Sequence, residues 1–275
     1  MRQLLLLCLL LLAVPAWALK PSPTYWARPD TLGLQYQSLT LTTPDHVHLA
    51  AWLVAARPNV PTQQTTIVMA GADAGNMASL LFPAAAFAAQ GYQVLLFDYR
   101  GFGHSDAFAI DPNYLYYPEF TTDLRTALAE ARRQAPRHRV GIMGYSMGTV
   151  MGAEVAATTP CDFLLTVGYV ANPQGVKAYY ERLRPERPLT LPADATTYAQ
   201  VAPQVRCPWL LMAGKQDPVT TLADSQAVAR AAHRGLRRVA LPLEGDHGGS
   251  MMVFSELANN TAVQAITRFL KGGRA

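Results

Sequence analysis

Short apolar runs that alternate with longer amphipathic stretches constrain the fold of this sequence more than any other feature. Six such runs follow Pro61. Uniformly apolar runs linked by helical segments are typical of a parallel sheet that is covered by helices on both faces. The pattern predicts an α/β fold with a mostly parallel sheet. The predicted parallel strands are residues 65–70, 93–99, 139–145, 163–170, 209–213 and 238–243.

Two further strands precede the parallel ones. Residues 35–42 and 47–56 flank the turn signal Pro44-Asp45, which predicts an antiparallel hairpin and brings the sheet to eight strands. With 275 residues, half of them apolar, the chain suits one large domain better than two small ones. Five main helices are predicted, at residues 77–90, 121–134, 147–158, 222–233 and 253–270.

The N-terminus has the pattern of a secretory signal peptide. Arg2 precedes an apolar run over residues 4–14, and Ala16-Trp17-Ala18 is a small-x-small cleavage pattern. The run is much shorter than the roughly 20 apolar residues of a spanning helix. We therefore expect cleavage after Ala18, with residues 19–275 as a single exported domain, periplasmic or secreted, that keeps no stable membrane anchor.

Two cysteines remain in the expected mature chain. Cys161 and Cys207 directly precede two predicted neighbouring strands. Adjacent strands lie roughly 4.8 Å apart, within the reach of a disulfide, and an exported protein meets conditions in which disulfides persist. The sequence predicts a Cys161–Cys207 disulfide, with two buried free thiols as the alternative.

Charge and histidine placement argue against several functions. The net charge is +4, and the arginine clusters carry no interleaved aromatic residues or nucleic-acid motif, so they are interpreted as solvated surface and no nucleic-acid partner is predicted. His46 and His48 lack a third ligand for a metal site. No metal and no organic cofactor is predicted, and the sequence gives no indication of the oligomeric state.

A candidate nucleophile lies between a predicted strand and a predicted helix. Residues 144–148 read Gly-Tyr-Ser-Met-Gly, a G-x-S-x-G string in the strand-turn-helix context that this motif requires. A serine on so sharp a turn is strained, and glycines on either side leave room for the neighbouring strand and helix. This context favours Ser146 as a nucleophile over an ordinary helix-capping serine.

Two later loops supply the partners that a serine nucleophile needs. A serine hydroxyl requires a base within hydrogen-bond reach and a third group that orients the base. Asp217 follows the strand predicted at 209–213, and His247 lies in a glycine-rich loop after the last strand. Asp217 also suits a helix N-cap, a role that does not exclude the first. We predict a triad of Ser146, His247 as general base and Asp217 as the orienting acid.

The loop after the first parallel strand is the predicted second half of an oxyanion hole. A tetrahedral intermediate needs two hydrogen-bond donors, one of them the backbone N–H after the nucleophile, here that of Met147. Residues 71–76 are small and permit close backbone approach. The second donor is predicted to be the N–H of Asp73, with that of Ala72 as the next choice.

The sequence resembles the α/β-hydrolase superfamily over nearly all of the mature chain, and within it the Bem46-type, or ABHD13-like, serine hydrolases. Residues 73–76, Asp-Ala-Gly-Asn, are similar to that group's oxyanion loop, and residues 96–105 carry the more specific likeness, Leu-Phe-Asp-Tyr-Arg-Gly-Phe-Gly-His-Ser. The chain differs at Gly71-Ala72, where the relatives have His-Gly. Asp98 and Arg100 are interpreted as structural anchors.

The resemblance implies hydrolysis of a small-molecule carboxylic ester through an acyl-serine. Thioesterase, amidase or peptidase, and acyltransferase activities are alternatives on the same site, and a binding protein that retains the scaffold without catalysis is a further one. Residues 171–206 lie where this fold usually inserts a small cap, between the sixth and seventh strands. Tyr179, Tyr180 and Tyr198 either line an acyl pocket there or pack the cap.

Overall fold

The computed structural model describes residues 19–255 and 260–273. An eight-stranded sheet forms its centre, in the order β8-β7-β6-β5-β3-β4-β2-β1. The predicted hairpin is present, β2 also pairs antiparallel with β4, and the remaining pairs are parallel. The strands are β1 Tyr36–Thr42, β2 His48–Val54, β3 Thr65–Ala70, β4 Gln93–Phe97, β5 Arg139–Tyr145, β6 Leu164–Val167, β7 Trp209–Gly214 and β8 Arg238–Leu243.

Helices connect these strands. They are α1 Leu81–Ala88, α2 Glu119–Gln134, α3 Met147–Thr158, α4 Pro173–Leu183, α5 Val201–Gln204, α6 Leu222–Arg230, α7 His247–Met252 and α8 Thr261–Leu270. A short parallel ladder joins Lys20–Pro21 to Ala74–Gly75 outside the main sheet. The sequence analysis did not predict this short ladder.

Two predicted helices differ most from the structure in their bounds. The helix predicted at 77–90 begins as a 3₁₀ turn, Met77–Leu80, and becomes α-helical at Leu81. Pro83 has no N–H to continue an α-helix from residue 77, which explains the later start. Within the helix predicted at 253–270, the described residues form a 3₁₀ turn, Val253–Ser255, and α8, which starts after the N-cap Asn260, whose side chain accepts a hydrogen bond from the N–H of Val263.

Helices pack on both faces of the sheet, as predicted. Phe120 of α2 and Val150 of α3 belong to the buried apolar cluster on one face, and Phe87 of α1 and Phe269 of α8 belong to the cluster on the other. All six residues of β3 are buried. Each large apolar side chain in these clusters contributes about 1.5–3 kcal/mol by leaving water, and burial on both faces explains why the parallel strands are uniformly apolar.

The two cysteines lie side by side at the amino ends of β6 and β7. These strands pair directly, with Leu164 opposite Trp209, as the sequence predicted. Both cysteines are free thiols in the structure, in hydrogen-bond contact with each other. The predicted disulfide is not present in the structure.

The predicted signal peptide, residues 1–18, lies outside the described residues. Within residues 19–255 and 260–273, no helix has the length and apolarity needed to cross a membrane. The carboxyl ends of β3, β5, β7 and β8 all open at one edge of the sheet. Ligands of open α/β sheets bind at this edge, and all of the predicted site residues follow these four strands.

Candidate active site

Ser146 occupies a strained turn between β5 and α3. Its backbone has φ 48° and ψ −113°, a conformation that side-chain-bearing residues rarely adopt and that costs on the order of 1–3 kcal/mol. Its N–H donates to the carbonyl of Val167 at 3.0 Å, which ties the turn to β6. The surrounding sheet thus holds the side chain of Ser146 partly exposed at the strand edge.

The two glycines of the motif are sterically required, as predicted. A Cβ atom at Gly144 would lie 2.5 Å from the carbonyl oxygen of Gly148. A Cβ atom at Gly148 would lie 2.3 Å from the carbonyl oxygen of Ala70. Both separations are far below van der Waals contact, so the close crossing of α3 over β3 and β5 depends on glycine at both positions.

The structure brings the three predicted triad residues into one hydrogen-bonded chain. Ser146 Oγ lies 2.9 Å from His247 Nε2, and His247 Nδ1 lies 2.8 Å from Asp217 Oδ2. A neutral imidazole that donates from Nδ1 to Asp217 leaves Nε2 free to accept the serine proton. His247 is the first residue of α7, and the Asp246 N-cap fixes that helix start by accepting from Gly249 at 2.8 Å.

Asp217 is fully surrounded by donors. Oδ1 accepts from the backbone N–H groups of Val219 at 2.8 Å and Thr220 at 2.9 Å, and Oδ2 accepts from the hydroxyl of Thr220 at 2.6 Å as well as from His247. Burial opposes ionisation of this carboxyl, but the hydrogen bonds from His247 and Thr220 outweigh it and lower the pKa of Asp217. Asp217 therefore stays ionised into the acid range.

Thr220 and Gly168 are site residues that the sequence analysis missed. Thr220 Oγ1 also lies 3.1 Å from His247 Nδ1, so its hydroxyl contacts both partners of the His–Asp pair. Gly168 has φ 67°, and a Cβ there would lie 2.9 Å from Thr220 Oγ1 and 3.1 Å from His247 Cε1. Two sequence signals could have identified these residues: a hydroxyl three residues after the acid, and a glycine at the end of an apolar strand.

The loop after β3 carries the two residues predicted to supply the second oxyanion donor, Asp73 and Ala72. Among the described residues, no acceptor is hydrogen-bonded to the N–H of Ala72 or to that of Met147, the first residue of α3. The N–H groups of Met147 and Ala72 are therefore available for an oxyanion.

Asp98 and Arg100 support this loop and its neighbour, as predicted. Asp98 accepts from the N–H of Met77 at 2.7 Å and from that of His104 at 3.1 Å, which joins the segment after the oxyanion loop to the turn after β4. Arg100 is buried in ion pairs with Asp123 at 2.7 Å and Asp45 at 2.6 Å. Neither side chain is part of the hydrogen-bonded chain at Ser146.

A cavity of about 160 Å³ adjoins the oxyanion loop. Its lining includes Gly71, Ala72, Phe97, Tyr145 and Met251, so it reaches the residue before Ser146 and the last turn of α7. A cavity of about this size accommodates a molecule such as benzene. It therefore has room for a short acyl group.

The three tyrosines of residues 171–206 have different surroundings. Tyr198 is buried, and its hydroxyl donates to the carbonyl of Val150 at 3.5 Å, so it packs this segment onto α3. Tyr179 and Tyr180 lie on α4 with ring centroids 5.5 Å apart. Tyr180 packs against the core cluster that contains Val150. None of the three lines the 160 Å³ cavity.

Comparisons with known sequences agree with this architecture. A family model described as serine aminopeptidase, S33, matches residues 73–186. The uncharacterized membrane protein YNL320W of Saccharomyces cerevisiae is 31% identical over 96 residues, which cover 34% of this chain and 32% of that protein. The chain thus spans about a third of this relative's length. The uncharacterized protein YfhR of Salmonella typhimurium is 24% identical over 251 residues, 86% of this chain and 81% of that protein.

Solved structures share the whole fold. An esterase of Pyrococcus furiosus, Pf2001, superimposes with a TM-score of 0.74 at 16% identity, over 92% of this chain and 98% of that one. XC6422 of Xanthomonas campestris, an α/β serine hydrolase without a lid, gives a TM-score of 0.57 at 18% identity, over 84% of this chain and 95% of that one. The chain therefore has the α/β-hydrolase fold, and residues 73–186 are similar to the serine aminopeptidase family.

Proposed function

We propose that this protein hydrolyses carboxylic esters of small molecules through an acyl-serine intermediate. The observation that carries the proposal is the hydrogen-bonded chain from Ser146 Oγ through His247 to Asp217, with separations of 2.9 and 2.8 Å. Such a chain lets His247 take the serine proton during attack and return it to the leaving alkoxide. Attack of water on the acyl-serine then releases the acid and restores the serine hydroxyl.

The oxyanion formed in both steps would be stabilised by the backbone N–H groups of Met147 and Ala72. These donors belong to the rigid start of α3 and to a loop anchored by Asn76, which donates to the carbonyls of Ser22 and Thr24 at 3.0 and 2.9 Å. Donors that are already in place cost no reorganisation when charge develops. The 160 Å³ cavity next to Ala72 would receive a short acyl chain.

We further propose that residues 171–206 form a small cap beside this cleft. Tyr198 and α4 fasten the segment to the domain.

We also propose that the protein acts after export. Leu19, the first residue after the proposed cleavage point, is buried, and its N lies 3.3 Å from the carbonyl oxygen of Pro112. N-terminal sequencing of the exported protein tests cleavage after Ala18, and any other start contradicts it.

Within the superfamily, we place the chain nearest the Bem46-type serine hydrolases. The support is the segment from Leu96 to Ser105, in which Asp98 and Arg100 make the buried contacts described above. The S33 description of the matching family model favours an amidase or peptidase as the second candidate function. Thioesterase and acyltransferase activities would use the same catalytic groups and are further alternatives. The triad argues against a scaffold without catalysis, which would have no need of it.

Turnover of p-nitrophenyl esters of increasing acyl length, together with fluorophosphonate labelling, tests the ester-hydrolase proposal. Ser146→Ala should abolish both turnover and labelling without unfolding the protein, since Ser146 is partly exposed. Ser38→Ala, on the exposed edge strand β1, is the control and should change neither. Labelling that persists in Ser146→Ala would exclude Ser146 as the nucleophile. Turnover of p-nitroanilides but of no ester would favour the peptidase.

A further inference from the structure

Cys161 and Cys207 both line a second cavity, at the amino ends of β6 and β7. This cavity has a volume of about 440 Å³, which falls within the usual size range of ligand pockets. Ser146 follows the carboxyl end of β5, which runs parallel to β6 and β7. The two thiols and the candidate nucleophile therefore lie at opposite edges of the sheet, and the second cavity is separate from the triad.

The pairing of β6 with β7 holds the two cysteines next to each other. Leu164 lies opposite Trp209 in this pair, Cys161 is three residues before Leu164, and Cys207 is two residues before Trp209. Cys161 Sγ lies 3.0 Å from the carbonyl oxygen of Phe163, so its side chain stays at the end of β6. Both thiols thus face the same space from adjacent strand ends.

The two thiols differ in exposure. Cys161 is half-buried, whereas Cys207 is 8% exposed. Thiol–disulfide exchange requires direct access of the attacking sulfur to the attacked one. A disulfide that enters from solution therefore reaches Cys161 first, and Cys207 is placed to attack a sulfur attached to its neighbour.

The cavity also carries an unpaired positive charge. Arg132, Arg206 and Asp162 are the charged residues of its lining. Asp162 is already engaged, since it accepts from the N–H of Val140 at 2.7 Å and pairs with Arg132 at 3.5 Å. Arg206 is exposed and forms no ion pair within residues 19–255 and 260–273. Its guanidinium, directly before Cys207 in the chain, would attract a carboxylate to the thiols.

We propose that Cys161 is a modification site for small anionic disulfides, such as oxidised glutathione, and that Cys207 is the thiol that resolves the adduct. In the first step the Cys161 thiolate attacks one sulfur of the small disulfide. A mixed disulfide forms, and the other half leaves as a thiolate that takes up a proton. In the second step the Cys207 thiolate attacks the sulfur of Cys161, and the bound half leaves in the same way. Two electrons pass from the protein thiols to the small disulfide, which becomes two small thiols.

Intact-mass spectrometry of folded single variants tests the two roles. After incubation with oxidised glutathione at mildly alkaline pH, Cys207→Ala should carry one glutathionyl group, and proteolytic mapping should place it on Cys161. Cys161→Ala is the matched control and should stay unmodified, because its remaining thiol is buried. The wild type should lose two hydrogens and keep no adduct. Modification of Cys207, or a Cys207→Ala protein that reacts only after unfolding, overturns the proposal.

Three small disulfides that differ mainly in charge test the preference for anions. 3,3′-Dithiodipropionate is anionic, bis(2-hydroxyethyl) disulfide is neutral and cystamine is cationic. Each rate of adduct formation on folded Cys207→Ala is divided by the rate on the same variant unfolded in urea, which corrects for intrinsic reactivity. The corrected rate should be roughly tenfold higher for the anion than for the cation, with the neutral compound between them. Added salt should shrink the difference.

Arg206→Gln, introduced into Cys207→Ala, removes the unpaired charge and should reduce the anion-to-cation ratio to within about threefold. Arg57→Gln in the same background is the matched control, since it removes an exposed arginine that does not line the cavity, and it should keep the original ratio. Corrected rates that are equal for the three disulfides, or a preference that survives in Arg206→Gln, overturn the assignment of anionic disulfides to this site.

Discussion

Thr220 donates its hydroxyl hydrogen bond to Asp217, with 2.6 Å between Oγ1 and Oδ2. The same hydroxyl oxygen lies 3.1 Å from His247 Nδ1, so it contacts the acid and the base where they meet. This hydroxyl thereby fixes the orientation of the carboxylate. The hydrogen bonds from His247 and from this hydroxyl together lower the pKa of Asp217. We regard Thr220 as a positioning residue for the triad.

Thr220→Val should lower kcat about 5- to 50-fold with little change in KM, because it removes a hydrogen bond to a charged group and none to the substrate. The pKa of Asp217 should rise, so activity should begin to fall at a higher pH on the acid side. Thr220→Ser keeps the hydroxyl and should restore both rate and pH profile. A pH–rate profile of Thr220→Val identical to that of the wild type would limit Thr220 to packing.

The stability of the protein should depend on Asp73 in a pH-dependent way. Burial raises the pKa of Asp73 from its ordinary value of 3.8 to about 6. The folded state therefore holds the proton more tightly than the unfolded state, and the cost of ionisation appears as pH rises from about 4 to 6. Above that range the penalty reaches up to about 3 kcal/mol.

Asp73→Asn should accordingly raise Tm by several degrees at pH 7.5 and leave it unchanged near pH 3.5, where both states are protonated. Thermal unfolding followed by circular dichroism at a series of pH values measures the difference. The matched variant Asp30→Asn should show no such pH-dependent gain. A change in Tm of the same size at every pH would mean that the effect of Asp73→Asn is not electrostatic.

The glycine at position 148 should not tolerate a side chain. Gly148→Ala places a Cβ 2.3 Å from the Ala70 carbonyl oxygen, so α3 must move away from β3. We expect the unfolding free energy to fall by about 2–4 kcal/mol. We also expect fluorophosphonate labelling of Ser146 to be lost. Gly152→Ala on the same helix is the control, since its Cβ meets Ile142 and Leu164 only at 3.4 Å. Urea unfolding of the two variants should separate them clearly.

Cys161 and Cys207 should form a disulfide when the folded protein is oxidised. Their thiols are already in contact, and the bond would close a loop of roughly 45 residues, for which the chain-entropy model gives a gain of up to about 4 kcal/mol. Incubation with oxidised glutathione should lower the intact mass by two hydrogens and raise Tm. The double variant with alanine at both positions should do neither. Oxidation of the wild type only after unfolding would show that the native geometry forbids the bond.

The sequence allowed most of the fold and the three triad residues to be predicted. The six parallel strands have strong apolar runs because the sheet is buried on both faces, and the motif around Ser146 carries its own steric requirement at Gly144 and Gly148. Helix α4 was not predicted, although Asn172-Pro173 supplies an N-cap and a proline at the first helical position. Tyr198, which follows α4 in the chain, packs this part of the segment onto α3.

The electrostatic partners were decided by the tertiary structure alone. Asp73, Asp98 and Asp217 all follow strands and look alike in the sequence, yet Asp217 gains four donors, Asp98 anchors two loops, and burial raises the pKa of Asp73 to about 6. Sequence patterns determine which strands form and where chain turns occur, because these depend on local sterics and periodic apolarity. The charge state and contacts of a carboxyl group depend on atoms brought together from distant segments, so only the folded chain determines them.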